Sequence, residues 1–353
     1  MTIPVIFPFV GDTIGGSHVS MIKVLREVSA FGVSPFILVH YAGPFSKYLD
    51  QNGINHQVLN QPLTELSVPR ELKKLHLHII VHTNDNRMHL LWSQFCRTND
   101  LPHIWHQRSF LNDKTLINEL NINHSKRHLI CASEFIWSTL PSMQSTDLTV
   151  LYSPFVQPPQ QRSCKGNEKE EKSRPVISFI ANLTKQKNPK IFLEAIAKAQ
   201  GALRSDTQIL ICGSEREYLH KEIISYSKKI DLNLDLQVKG FQSSITPIME
   251  ESDLIICPFH NEGFGRVSVE AMLLSTPVIA LNEAGFKEVR NFFPEIELVN
   301  DLTASAFANA IISFSQNKKI FLGRRMVPYK LTLNHHLECL FNIYQRLTLQ
   351  HQT

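Results

Sequence analysis

The sequence predicts an α/β protein of two doubly wound, Rossmann-like halves facing each other across a cleft. Three observations carry this. Short apolar runs alternate with helical patterns, once from Val5 to Tyr152 and again from Val176 onward. A polar, charged, proline-bearing stretch, Val156–Pro175, divides the two series and has almost nothing to bury. With 353 residues the chain is too long for one ordinary core.

In the first half the strand candidates are Val5–Val10, Pro35–His40, Leu77–His82, His103–His106, Leu129–Ala132 and Thr149–Tyr152. Met21, Val24, Leu25 and Val28 fall at i, i+3, i+4 and i+7 after Gly15-Gly16, which gives one apolar stripe on a first helix. In the second half strands are expected at Val176–Ala181, Gln208–Cys212, Leu234–Val238, Leu254–Cys257 and Pro277–Leu281. Asn188-Pro189 reads as an N-cap and first helical residue, followed by Phe192, Ala195, Ile196 and Ala199 on one face. A closing helix is expected over about Asn334–Thr348. Strand–helix alternation of this kind builds parallel sheets covered on both faces. Such sheets bind ligands beyond the carboxyl ends of their strands.

Composition narrows the function. Charged residues make up 19% of the chain and the net charge is +4, so it is globular and not a dedicated nucleic-acid binder. The six cysteines form neither a C-x-x-C pair nor a zinc spacing, which points to free thiols in a reducing compartment and to no metal site. The opening MTIPVIFPFVGD lacks a basic segment and reads as a strand. A cytoplasmic protein is expected. Arg70–His78, RELKKLHLH, offers a basic face for peripheral contact with an anionic membrane surface, and equally reads as a solvated helix.

Three turns are candidates for ligand contact. Gly11–Gly16 follows the first strand, where glycines let backbone approach an anion at a helix start, but it is not G-x-G-x-x-G. Lys187 stands just before the Asn188-Pro189 helix start, where a cation opposes the helix dipole unless an anion is bound. Glu262 precedes Gly263-Phe264-Gly265, and Glu270 follows one turn into the helix beginning near Arg266. A diphosphate at that helix start would have a carboxylate toward each end, one for sugar hydroxyls and one for ribose hydroxyls. Each of these residues taken alone also reads as an ordinary loop or helix-surface residue.

The segment CPFHNEGFGRVSVEAMLLSTPVIALNEAGFKEV resembles the signature of glycosyltransferase family 4, the glycosyl transferases group 1, which are retaining enzymes of GT-B fold. FPFVGDTIGGSHVSMIKVL, VISFIANLTKQKNPKIFLEAIAKA, ILICGSERE, VKGF and HLECLFNIYQRL extend the likeness over most of the chain. It implies an acceptor-side domain at 1–155, a linker at 156–175, a donor domain at 176–331, and a closing helix at about 332–353 that packs back on the first domain. By this resemblance Glu262 holds the transferred sugar and Glu270 the ribose. Gly263, Phe264 and Gly265 offer backbone, and Lys187 binds the diphosphate. Gly16 closes over the donor phosphates, Gly213 and Phe241 flank the base, and His106 faces the sugar.

The chain departs from the family pattern at three places: Asn182 replaces an arginine, Ser153 an asparagine and Ser275 a glycine. The first removes a diphosphate cation, which Arg266 at the helix start would replace. The implied activity is metal-independent transfer of a hexose-type sugar from a nucleotide diphosphate sugar to a glycan or lipid-linked acceptor. The departing phosphate would help deprotonate the acceptor, and no separate cofactor is required. Two alternatives remain open: a catalytically weakened GT-B sugar-nucleotide-binding protein, motivated by Asn182, and a GT-B sugar-nucleotide epimerase.

Overall fold

The computed structural model describes residues 2–60, 79–141, 147–159, 174–242, 244–317 and 324–349. Arg70–His78 and most of the polar stretch at 156–175 lie outside the described residues. The chain divides into two compact units: Met1–Val156 with Pro328–Thr353, and Gln157–Val327.

The first unit is built on β1 (Ile3–Phe9), β2 (Val33–Val39), β3 (Gln57–Val58), β4 (Ile80–Thr83), β5 (His103–Gln107), β6 (Arg127–Cys131) and β7 (Asp147–Val150). Its described helices are α1 (Gly16–Glu27), α2 (Pro44–Gln51), α3 (Asn86–Thr98), α4 (Lys114–Asn121), α5 (Glu134–Ser138) and the closing α12 (Leu333–Leu349). The strands form one parallel sheet in the order β3-β2-β1-β4-β5-β6-β7. β1 and β5 are buried almost throughout, as strands covered on both faces must be. The stripe Met21, Val24, Leu25 and Val28 joins Phe7, Phe9 and Val39 in one core. Leu337, Leu340, Ile343, Tyr344 and Leu347 of α12 complete that same core. Their 3.6-residue spacing keeps them on one face of the helix.

The second unit repeats the plan with β8 (Val176–Ile180), β9 (Gln208–Cys212), β10 (Asp235–Lys239), β11 (Leu254–Cys257), β12 (Val278–Leu281) and β13 (Glu297–Val299). Its helices are α6 (Pro189–Ala199), α7 (His220–Lys229), α8 (Thr246–Glu251), α9 (Arg266–Leu273), α10 (Gly285–Phe292) and α11 (Ala304–Gln316). The sheet order is β10-β9-β8-β11-β12-β13, again all parallel. The chain winds outward from β8 to β10, then returns to lay β11 on the other side of β8. The winding direction therefore reverses between β8 and β11, and the loops leaving them open a crevice at that switch point.

Cys96, Cys131, Cys212 and Cys257 are buried free thiols and Cys339 is a half-buried one. Among the described residues no helix is long and apolar enough to cross a membrane.

Candidate functional site

In the second unit the loop after β8 runs from Ala181 to Asn188 and ends in one 3-10 turn, Lys185–Lys187. The loop after β11 runs from Pro258 to Gly265 and leads into α9. Three hydrogen bonds knit the loops together across the switch point. His260 N–H donates to the Gln186 carbonyl at 3.0 Å. The Gln186 amide donates to the Asn261 carbonyl at 3.0 Å, and the Asn188 amide to the Pro258 carbonyl at 2.8 Å. The last bond corrects the sequence expectation for Asn188. It occupies the N-cap position of α6 in a left-handed conformation, φ 52°, and its side chain makes no cap. The carboxamide donates instead to Pro258 of the neighbouring loop and, at 3.2 Å, to the Gln186 carbonyl of its own loop.

This lacing brings Lys187 and Glu262 together as an ion pair. Only 21% of the Lys187 side chain and 17% of the Glu262 side chain are exposed. The ammonium also lies 4.6 Å from the centre of the Phe259 ring, a cation–π position. The other Glu262 carboxylate oxygen accepts from the Gly265 N–H at 3.2 Å. Glu262 is fixed by its backbone as well, since its carbonyl accepts from Gly285 N–H at 3.0 Å.

Gly265 has φ +84°, and a Cβ there would stand 2.8 Å from the buried Phe286 ring. Both the conformation and the space demand glycine. The turn delivers α9 with Arg266 as its first residue. Arg266 and Glu270 pair at 2.7 Å, one helical turn apart and mostly shielded from solvent. Phe264 is buried and meets Phe292 edge to face at 6.3 Å, so only its backbone is left for a ligand.

Further along the same sheet edge, a Cβ on Gly213 would stand 1.8 Å from the Ala181 carbonyl oxygen. The turns after β8 and β9 can pass this closely only at glycine. Asn182, where the resembled family has a cation, accepts from the Ser214 N–H at 3.3 Å and so holds those turns together. Phe241, two residues beyond β10, is half exposed. Glu283 was not singled out in the sequence. It binds the Asn261 N–H and the His260 ring, each at 2.9 Å, and so braces the loop that carries Glu262. Its signal was its place two residues beyond β12, next in the sheet to β11.

Gly16 and His106 belong to the first unit. Gly16 begins α1, and the His18 ring accepts from the Gly15 N–H at 3.2 Å. Asp12, in the preceding turn, is clamped by both terminal nitrogens of Arg87 at 2.7 and 2.8 Å. That hydrogen bond holds the Asp12 carboxyl below the usual range. His106, on β5, is fully buried and hydrogen-bonded to His82 at 3.1 Å. Arg108, two residues on, was missed in the sequence. It reaches Asn84, Ser153 at 3.1 Å and the His106 ring at 3.4 Å.

Compared with known proteins, the chain's fold matches solved structures along nearly its whole length. An Anabaena protein, HepE, in complex with UDP and glucose superposes with a TM-score of 0.74, at 18% identity over 99% of this chain and 98% of that one. A glycosyltransferase from Rickettsia africae gives 0.72, at 19% identity over 98% and 99%. The pneumococcal O-GlcNAc transferase GtfA, in complex with UDP and GlcNAc, gives 0.70 at 11% identity over 98% and 99%. The fold is GT-B. Residues 161–328 also match the family model of the glycosyl transferases group 1. A D-inositol 3-phosphate glycosyltransferase of Corynebacterium efficiens is 26% identical over 118 residues, 31% of this chain and 27% of that protein. A 2-deoxystreptamine N-acetyl-D-glucosaminyltransferase of Niallia circulans is 25% identical over 126 residues, 35% and 31% of the two chains. The chain thus spans about a third or less of the length of these curated relatives.

Proposed function

We propose that the protein is a glycosyltransferase that moves a hexose-type sugar from a nucleotide diphosphate sugar to a glycan or lipid-linked acceptor. Retention at the anomeric carbon and independence of metal are part of the proposal. The observation that carries it is the Lys187–Glu262 pair, held beside the Gly263–Gly265 turn and the start of α9. A cation beside the backbone N–H groups of a helix start suits a diphosphate. Glu262 and Glu270, one before the turn and one a helical turn beyond Arg266, suit the hydroxyls of sugar and ribose. The complexes of HepE with UDP and glucose, and of GtfA with UDP and GlcNAc, support a sugar nucleotide as the ligand class.

In this reading Lys187, Arg266 and the α9 N–H groups stabilise the charge that develops on the leaving diphosphate. That phosphate then helps deprotonate the acceptor hydroxyl on the face it leaves. A second reading, binding without turnover, is favoured by Asn182, whose carboxamide serves the turns around it and brings no charge.

A thermal-shift screen against UDP-, GDP- and ADP-sugars tests donor binding, since a ligand of the native state raises Tm by mass action. Turnover with candidate acceptors in excess EDTA then separates the two readings. No shift with any sugar nucleotide would refute the ligand class. A shift without transfer or donor hydrolysis would favour the binding protein, and activity restored only by Mg²⁺ or Mn²⁺ would refute metal independence.

A further inference from the structure

The first unit has a switch point of its own. The chain winds outward from β1 to β3, then returns to lay β4 on the other side of β1. Open α/β sheets bind ligands beyond the carboxyl ends of their strands at such a place. Here the loop after β1 leads into α1, and the loop after β4 leads into α3. The clamp of Arg87 on Asp12 joins the two. Beside it stand His18, in the first turn of α1, and Asp85, whose Oδ1 caps α3 by accepting from the Arg87 N–H at 2.8 Å.

The His18 ring is wedged 4.6 Å from Phe45 and 6.0 Å from Phe9, centre to centre, and only 7% of its side chain is exposed. Nδ1 accepts from the Gly15 N–H, so the ring hydrogen sits on Nε2. Burial holds this imidazole below the ordinary histidine range, which favours the neutral form. Among the described residues no acceptor lies within hydrogen-bond reach of Nε2, and Asp85 Oδ2 is 4.0 Å from it. That separation of 4.0 Å is too long for a direct bond. It suits one oxygen placed about 2.8 Å from both atoms, with about 90° between the two contacts. The two neighbours make opposite demands: Nε2–H needs an acceptor and the carboxylate needs a donor. A hydroxyl is both at once. A phosphate would set a second anion against Asp85, and an ammonium has no lone pair for His18.

We propose that the first unit binds a polyhydroxy ligand, a sugar or cyclitol, at its β1/β4 switch point, and that one hydroxyl of this ligand accepts from His18 Nε2–H and donates to Asp85 Oδ2. The site is built from residues of the first unit alone. That its ligand is the acceptor rests on the glycosyltransferase reading above; the acceptor then presents a neutral hydroxyl at this place, not a phosphate.

The test uses ¹H–¹⁵N spectra of the full chain labelled at histidine, with His18 assigned by its loss in His18→Gln. Without ligand a neutral Nε2–H pattern is expected at His18; an Nδ1–H pattern would overturn the proposal. The probes are myo-inositol, methyl α-D-glucoside, maltose as a free glycan, octyl β-D-glucoside as a sugar on an alkyl chain, and inorganic phosphate, each titrated to about 50 mM. At least one of the polyols should shift the His18 resonances to saturation. A response to maltose supports the site with a glycan as its source, and a response confined to octyl β-D-glucoside supports it with a lipid-linked sugar. A shift with phosphate alone, or with none of the polyols, would overturn it. Asp85→Asn keeps a helix-capping side chain but puts an amide N–H where Oδ2 would accept. Affinity for the responding polyol should then fall about tenfold or more. Removing the bridging hydroxyl, found with the series of deoxy forms of that polyol, should cost the wild type a similar factor and cost Asp85→Asn little. Equal affinity in folded wild type and Asp85→Asn, or strictly additive losses, would overturn the bridge. Titration with sugar nucleotides separates this proposal from the function above. A polyol response without donor binding would uphold the site and refute the glycosyltransferase reading, and donor binding without a polyol response would do the reverse.

Discussion

Lys187 and Glu262 are ion-paired across the β8/β11 switch point, each satisfying the charge of the other. In the proposed function a diphosphate arriving at Lys187 would part this pair and strand Glu262 beside a second anion. A sugar attached to the diphosphate offers hydroxyls to the released carboxylate. The pair should therefore favour the complete donor over the bare nucleotide. In Glu262→Gln the preference for sugar nucleotide over the matching nucleoside diphosphate should fall by about tenfold or more, and the bare diphosphate should bind more tightly. Calorimetric titration with both ligands measures this, and parallel losses for the two would count against the assignment.

Arg266 and Glu270 form a second such pair, 2.7 Å apart on α9. If Arg266 faces the diphosphate and Glu270 the ribose, either truncation weakens the ligand and frees its partner. Arg266→Ala should lower kcat/KM by about tenfold or more, partly by leaving an unpaired carboxylate near the phosphates. Glu270→Ala should weaken even the bare nucleotide. The two losses should couple, with the double variant no worse than the weaker single one by more than about 0.5 kcal/mol. Strictly additive losses would mean that the 2.7 Å pair does not couple the two contacts.

Both sheets were legible in the sequence because their central strands are buried on two faces. Runs such as Leu254–Cys257 and Gln208–Cys212 carry that signal without interruption. The edge strands β3 and β13 were not found. They are two and three residues long and partly exposed, so they leave neither an apolar run nor a full alternation. The stripes on α1 and α6 were readable from helical spacing. In the site, glycines and carboxylates were visible as types, but their pairing was not. Lys187 and Glu262 are 75 positions apart, and their contact depends on sheet order and on bonds from Gln186 and Asn188. Asn188 misled because asparagine caps helices in most settings. Glu283 and Arg108 act on neighbouring segments through geometry that no local spacing records.

Gly285 supports a prediction of a different kind. A Cβ there would stand 2.5 Å from Phe264 Cα and 2.6 Å from the Gly263 carbonyl oxygen, both backbone atoms that cannot rotate aside. Gly285→Ala should push the Glu262–Gly265 turn away from α10 and stretch the 3.0 Å bond from Gly285 N–H to the Glu262 carbonyl. Donor affinity should fall about tenfold, with a loss of stability on the order of 1–3 kcal/mol. Gly201→Ala, where a Cβ would have nothing within 4 Å, is the matched control and should change neither. Affinity retained in Gly285→Ala would show that the turn is not part of the donor site.

The histidines of the first unit predict a pH dependence. Burial holds His82, His89, His103 and His106 well below the ordinary range, and pushes His124 and His128 down to about 4. An unfolded imidazole takes up its proton near 6.5, while the buried ones stay neutral until far lower. Between pH 6.5 and about 4 the unfolded chain thus binds more protons than the folded one. Stability is full above 6.5 and falls as pH drops, by up to about 1.4 kcal/mol per pH unit for each linked histidine. Trp92, Trp105 and Trp137, the only tryptophans, all lie in the first unit, so their fluorescence follows its unfolding in urea. The urea midpoint should fall steadily from pH 6.5 to 4. His128 offers the sharpest single case. Its Nδ1 accepts from Arg346 at 3.0 Å and its Nε2 meets the Thr149 hydroxyl at 3.0 Å, so protonation sets one cation against another. His128→Gln keeps an uncharged polar group and cannot titrate. It should flatten the pH slope by about one proton's worth, and an unchanged slope would mean that His128 is not linked to unfolding.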